Sequence, residues 1–113
     1  MKKLIICMAI GLMWSGFSYA GSCNTISCDG IITNLYPNGQ NGKIYIDVDA
    51  VKTPLNCNLD QGNYIVLKDT NLRHSEIYAM LLSVAIAGKE VRLRMVDNSP
   101  DCELRYTMLL NNK

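Results

Sequence analysis

The sequence predicts a mainly β domain with one helix, in the order β-β-β-α-β-β, stapled by disulfides. Three observations carry that expectation. Five short stretches rich in β-branched and apolar residues are bounded by Gly, Pro, Asn and Asp clusters. One uninterrupted apolar segment, Ile77 to Ala87, ends on Gly88. An even set of cysteines remains once an export leader is set aside.

The leader comes first. Lys2 and Lys3 precede an apolar run from Leu4 to Trp14 and a small-residue close at Ser18-Tyr19-Ala20, which is the layout of a secretory signal peptide over 1–20. Cleavage after Ala20 leaves 21–113 as a single domain, secreted or periplasmic. Cys7, Trp14 and Phe17 leave with the leader. Every remaining aromatic residue is then a tyrosine: Tyr36, Tyr45, Tyr64, Tyr78 and Tyr106.

The first strand is expected over Ile31 to Tyr36, and Pro37-Asn38-Gly39-Gln40-Asn41-Gly42 supplies the turn into a second strand, Lys43 to Val48. There Ile44, Ile46 and Val48 alternate with Lys43, Tyr45 and Asp47, so one face should be buried and the other wet. Asn63 to Lys68 is the third strand. The helix should start near Ser75 as N-cap, with Glu76 in its first turn, and stop at Gly88 in the left-handed C′ position. Val91 to Val96 and Glu103 to Leu110 form a last hairpin around Asp97 to Cys102. Three strands, a helix and two strands in so short a domain fit a small five-stranded OB-like Greek-key barrel, with the helix plugging or packing on it.

Four cysteines, Cys23, Cys28, Cys57 and Cys102, read as two disulfides in an exported chain. Spacing alone does not choose among the three connectivities. Cys23–Cys28 with Cys57–Cys102 is preferred, because the first closes a short N-terminal loop and the second ties the middle of the chain to its last turn. The spacings match no usual zinc pattern, and the residues before Cys23 lack the aliphatic position of a lipidation signal. No metal or cofactor is expected.

Charge and motifs narrow the function. With the leader gone, 9 Lys+Arg face 10 Asp+Glu, so no attraction to nucleic acid is expected. The longest later apolar stretch has 11 residues, about 16 Å as a helix and too short to span a bilayer. No nucleophile elbow, phosphate loop or paired-histidine motif points to an enzyme. His74 beside the helix start reads as a solvated or capping residue, and Asp47, Asp49 and Asp60 as wet strand and loop carboxylates rather than a catalytic pair or a calcium loop.

Two features point to binding. Between Ile77 and Ala87 only Ser83 is not apolar, so the helix has no wet stripe, and the face turned from the barrel should meet another molecule, most simply a second copy. On the last hairpin Arg94 is expected opposite Arg105, with Arg92 two residues along; opposed like charges call for a compensating anion. Glu90 and Glu103, Asp47 and Asp49 of a neighbouring copy, or an acidic sugar would each serve. Outward Tyr45 and Tyr36 could offer a ring face to such a sugar, with amides from the loop to Asn41.

Glu76-Ile77-Tyr78-Ala79-Met80-Leu81-Leu82 through Ala87-Gly88-Lys89-Glu90-Val91-Arg92-Leu93, together with Asp29-Gly30, resembles the B subunit of subtilase cytotoxin, one of the AB5 toxins. The resemblance implies an OB fold, a pentameric ring with helices around the pore, an A subunit as partner, and a surface that binds cell-surface glycan, often sialic acid. In that family a serine follows the aspartate-glycine pair and holds sugar; here Ile31-Ile32 follows, with Thr33 as an approximate substitute for it beside Asp29. The expectation is thus an exported glycan-binding protein; the alternative is a periplasmic or secreted interaction or inhibitor protein with no sugar site.

Overall fold

The structure, a computed structural model, describes residues 21–110. The expected leader, 1–20, lies outside the described residues. The described chain is mainly β with one helix: β1 Gly21–Cys23, β2 Ser27–Pro37, β3 Ile44–Val48, β4 Ala50–Val51, β5 Ile65–Leu67, α1 His74–Ala87, β6 Glu90–Met95 and β7 Leu104–Leu109.

β2 organises the sheet. Its 11 residues are long enough to serve two neighbourhoods: Ser27 to Ile31 pair antiparallel with β6, while Ile32 to Pro37 pair antiparallel with β3. A register shift between Ile32 and Asn34 marks the change, leaving Thr33 as an extra exposed residue at the bend. β1 runs antiparallel beside the start of β2 and carries β4 in parallel on its other side. This close approach needs a glycine, because a Cβ on Gly21 would sit 1.7 Å from the Asp29 carbonyl oxygen. β5 extends β3, and β7 extends β6.

The strands form a mixed sheet that does not close into a barrel by continuous pairing. β5 has three residues, and it reaches β7's side of the sheet through one parallel bridge, Val66 to Glu103, where the Val66 N–H donates to the Cys102 carbonyl at 3.1 Å. The five expected strands occur in the expected order. β1 and β4 were not expected: three and two residues long, they carry too little periodicity to stand out from loop.

The core joins Cys28, Ile32, Ile44, Ile46, Val48, Ile65, Leu67, Val91, Leu93, Met95 and Leu104 with Ile77, Leu81 and Val84 of α1. Both disulfides take the preferred pairing, Cys23–Cys28 and Cys57–Cys102. The expected wet face of β3 is corrected at Tyr45, which is 2% exposed although it lies on the face opposite Ile44 and Ile46. Tyr36 and Tyr64 pack on it at ring-centroid distances of 5.2 and 5.6 Å, and the Asn41 amide nitrogen donates to its hydroxyl at 3.0 Å. Three rings thus desolvate a second, smaller cluster.

The helix begins earlier than expected. Asn71 sets the entry: its Oδ1 accepts the Arg73 N–H at 2.9 Å and its carbonyl accepts the His74 N–H at 3.1 Å. The first helical bond then runs from Ile77 N–H to the Arg73 carbonyl, which puts Ser75 inside the first turn instead of at the cap. Gly88 ends the helix as expected, at φ 66°, with Gly88 N–H on the Ala85 carbonyl and Lys89 N–H on the Val84 carbonyl. Ile77, Leu81 and Val84 face inward, while Met80, Leu82 and Ile86 remain 39%, 41% and 79% exposed.

Candidate functional site

A polar cleft of about 340 Å³ opens where β1, the turn after it, and the outer faces of β2, β6 and β7 meet. Ser22, Asn24, Ser27, Asp29, Arg92, Arg94 and Tyr106 line it beside the Cys23–Cys28 disulfide. Sheet register assembles these residues. Asp29 of β2 is the Cα partner of Arg92 in β6, and Ser27 is the partner of Arg94, whose other neighbour is Tyr106 of β7. Because side chains alternate along β6, Val91, Leu93 and Met95 enter the core and Arg92 and Arg94 share the opposite face.

The two arginines differ in their bonding. Arg92 is held by Asp29 in a two-pronged pair, Nε to Oδ1 at 2.8 Å and Nη2 to Oδ2 at 2.9 Å, and these bonds raise its pKa further. Arg94 has no carboxylate partner among the described residues. Its Nη1 is 3.5 Å from the Tyr106 hydroxyl, its Cζ is 6.0 Å from that ring's centroid, and its Nε is buried with no hydrogen-bond partner among the described residues. A buried, unanswered guanidinium donor is unfavourable unless something accepts from it. With one carboxylate set against two guanidiniums, the cleft carries one excess positive charge.

The cleft's remaining wall is a hydrogen-bonded turn. Asn24 Oδ1 accepts from Ile26 N–H, Ser27 N–H and Ser27 Oγ at 3.0, 2.9 and 3.1 Å, which fixes the turn between β1 and β2. Thr25 and Ile26 carbonyls are bonded to Asn56 N–H and Met95 N–H, so the turn is anchored to the body of the domain.

The structure brings together Asp29, Arg92 and Arg94, and separates the rest of the expected set. Arg105 does not stand opposite Arg94: a register shift between Arg94 and Met95 places Tyr106 there and leaves Arg105 as the exposed extra residue of a bulge. The like-charge opposition expected from a regular hairpin is therefore absent at that position. Thr33 lies at the β2 bend, in a shallow groove with Leu35, Leu82 and Ile86. Tyr36 is 38% exposed but seven residues from Asp29 along β2, about 23 Å for extended chain. Tyr45 has no free ring face.

Sequence reasoning missed Ser22, Asn24, Ser27 and Tyr106. Tyr106 carried a signal, as an aromatic residue on the last strand, but its register depended on an unforeseen bulge. Among the acidic residues, Asp47 pairs with Lys52 and Asp60 with Lys43, so they do not act on one another. His74 Nε2 is buried with no hydrogen-bond partner among the described residues, which corrects the expectation of a solvated or capping side chain. No protein-family model matches the chain, and no curated protein or solved structure was found to be similar to it.

Proposed function

We propose that the protein is an exported, non-enzymatic binding protein that takes an acidic glycan in the cleft between the β1–β2 turn and the β6–β7 face. One observation carries this: the Arg94 guanidinium lines the cleft with no carboxylate partner among the described residues, next to the Tyr106 ring. A sugar carboxylate answers such a donor with a charge-assisted bond, while a tyrosine ring offers an apolar face to sugar C–H groups. Ser22, Ser27 and the Asn24 amide nitrogen supply hydroxyl partners, and Asp29 accepts.

The strand arrangement supports an open variant of the OB-like Greek key. A long first strand is shared between two halves of the sheet, the helix stands between the third and fourth main strands, and the third approaches the fifth in parallel. The exposed Met80, Leu82 and Ile86 support self-association, with a pentameric ring and an A subunit as the arrangement the toxin resemblance implies. The same helix face favours the second reading, an interaction or inhibitor protein without a sugar site.

Glycan-array screening of the oxidised protein tests the first reading. Hits confined to acidic sugars and lost on Arg94→Ala, with folding intact, are expected. Hits retained by that variant would move the site to the Asp29 to Thr33 segment, and an array without hits would favour the second reading.

A further inference from the structure

We infer that Asn38 is a site of spontaneous deamidation, and that the fold holds the neighbouring Asn41 in reserve. The β2–β3 turn contains two asparagine-glycine pairs, Asn38-Gly39 and Asn41-Gly42. In such a pair the glycine amide nitrogen, after losing its proton to solvent base, adds to the asparagine Cγ. The new C–N bond displaces the side-chain nitrogen as ammonia and leaves a five-membered succinimide. Water then opens either carbonyl, giving aspartate or isoaspartate, with no oxidation or reduction. Glycine promotes the step because no Cβ shields its nitrogen.

Both asparagines accept a bond on Oδ1 from two residues ahead, Asn38 from Gln40 N–H at 2.9 Å and Asn41 from Lys43 N–H at 3.0 Å. They differ in nucleophile and leaving group. Gly42 N–H is tied to the Asn38 carbonyl at 3.1 Å, and the Asn41 amide nitrogen donates at 3.0 Å to the buried Tyr45 hydroxyl. Gly39 N–H makes no protein hydrogen bond among the described residues, and, apart from the glycine and its two chain neighbours, no described atom lies within 4 Å of where its Cβ would be. Asn38 therefore meets a free nucleophile in open space, whereas reaction at Asn41 first breaks two bonds. Since each such bond slows the step severalfold, Asn38 reacts at least about tenfold faster.

The order has a structural consequence. An isoaspartate link in place of Asn38 reroutes the backbone and disturbs the bonds from Asn38 N–H to the Lys43 carbonyl and from Gly42 N–H to the Asn38 carbonyl. Loss of the second frees the nucleophile for Asn41, so the two sites react in sequence. The modification adds negative charge beside Tyr36 and alters the loop that caps Tyr45.

Incubation of the oxidised protein near neutral pH, followed by peptide mapping for the acid-for-amide mass gain and for isoaspartate, tests this. Asn38 is expected to convert first, with Asn41 following after a lag, and both should react at similar rates in the reduced, denatured chain. Gly39→Ala, for which there is room and no positive φ to strain, should slow Asn38 and, through it, lengthen the lag before Asn41 reacts. Equal rates at the two residues in the folded protein, or an Asn38 rate unchanged by Gly39→Ala, would overturn the inference.

Discussion

Arg94 stands across from Tyr106, with its Cζ 6.0 Å from the ring centroid and Tyr106 as its Cα partner. The bulge that creates this pairing replaces a repulsive arginine pair with a guanidinium over an aromatic ring. Arg94→Ala removes the unmatched charge from the cleft. Affinity for an acidic glycan should fall about tenfold to a hundredfold, the loss associated with a charge-assisted bond, with little change in melting temperature. Calorimetric titration and thermal melts of the two proteins check both halves.

Arg92→Ala should behave differently, because Arg92 is already neutralised by Asp29. Its removal exposes an unpaired carboxylate to the ligand's own carboxylate, so binding weakens at low salt and recovers partly as salt screens the repulsion. A salt series on Arg92→Ala and on Asp29→Asn,Arg92→Ala separates these effects: the double change should bind acidic sugar better than the single one.

The two disulfides should contribute unequally. Cys57–Cys102 joins residues 45 apart and Cys23–Cys28 residues 5 apart, which in the chain-entropy account corresponds to about 4 and about 2 kcal/mol. Denaturant unfolding of Cys57→Ser,Cys102→Ser and of Cys23→Ser,Cys28→Ser measures this. An equal or reversed loss would mean that native packing around Cys28, rather than loop closure, dominates.

Leu82 and Ile86 lie one turn apart on the outward side of α1. Leu82→Glu or Ile86→Glu should dissociate an assembled protein to monomers while changing monomer stability by no more than about 0.5 kcal/mol. Light scattering that finds the wild type already monomeric at micromolar concentration would remove self-association through this face.

Alkaline pH should destabilise the domain. Lys68 is held above its ordinary value of 10.5, first by its bond to Asp101 and then by the charges of Asp101 and Glu103, against a lowering by burial. Tyr36 is raised above 10.0, first by desolvation and then by Tyr64. In both, the folded state binds its proton more tightly than the unfolded chain, so the stability they add is complete below those ordinary values and is lost as pH rises through the raised ones. Lys68→Met with Tyr36→Phe should flatten the alkaline limb of a stability-against-pH curve, which denaturant unfolding across the alkaline range measures.

The strand order and the glycine stop of α1 were legible because each rests on local chemistry, alternation and a left-handed cap, whereas the cysteine pairing was a preference among three connectivities that rested on loop closure. What was not legible depended on register. Two bulges, at Thr33 and at Arg105, displace the sheet by one residue each, and a displacement of one exchanges a side chain's neighbours. Tyr45 failed for a related reason, since periodicity assigns a face but not what covers it. The cleft wall at Ser22, Asn24 and Ser27 was hidden because β1 owes its place to the Gly21 contact with Asp29, which no propensity reports.

NMR observation of the Arg94 Nε–H during titration of the oxidised protein with a sialylated oligosaccharide tests acidic-glycan binding at Arg94 most directly. A saturable shift of the Arg94 Nε–H and Tyr106 ring signals, with the Tyr36 and Tyr45 rings unaffected, is the predicted result. Saturable binding that left both Arg94 and Tyr106 unmoved, or no shift at any concentration, would contradict it.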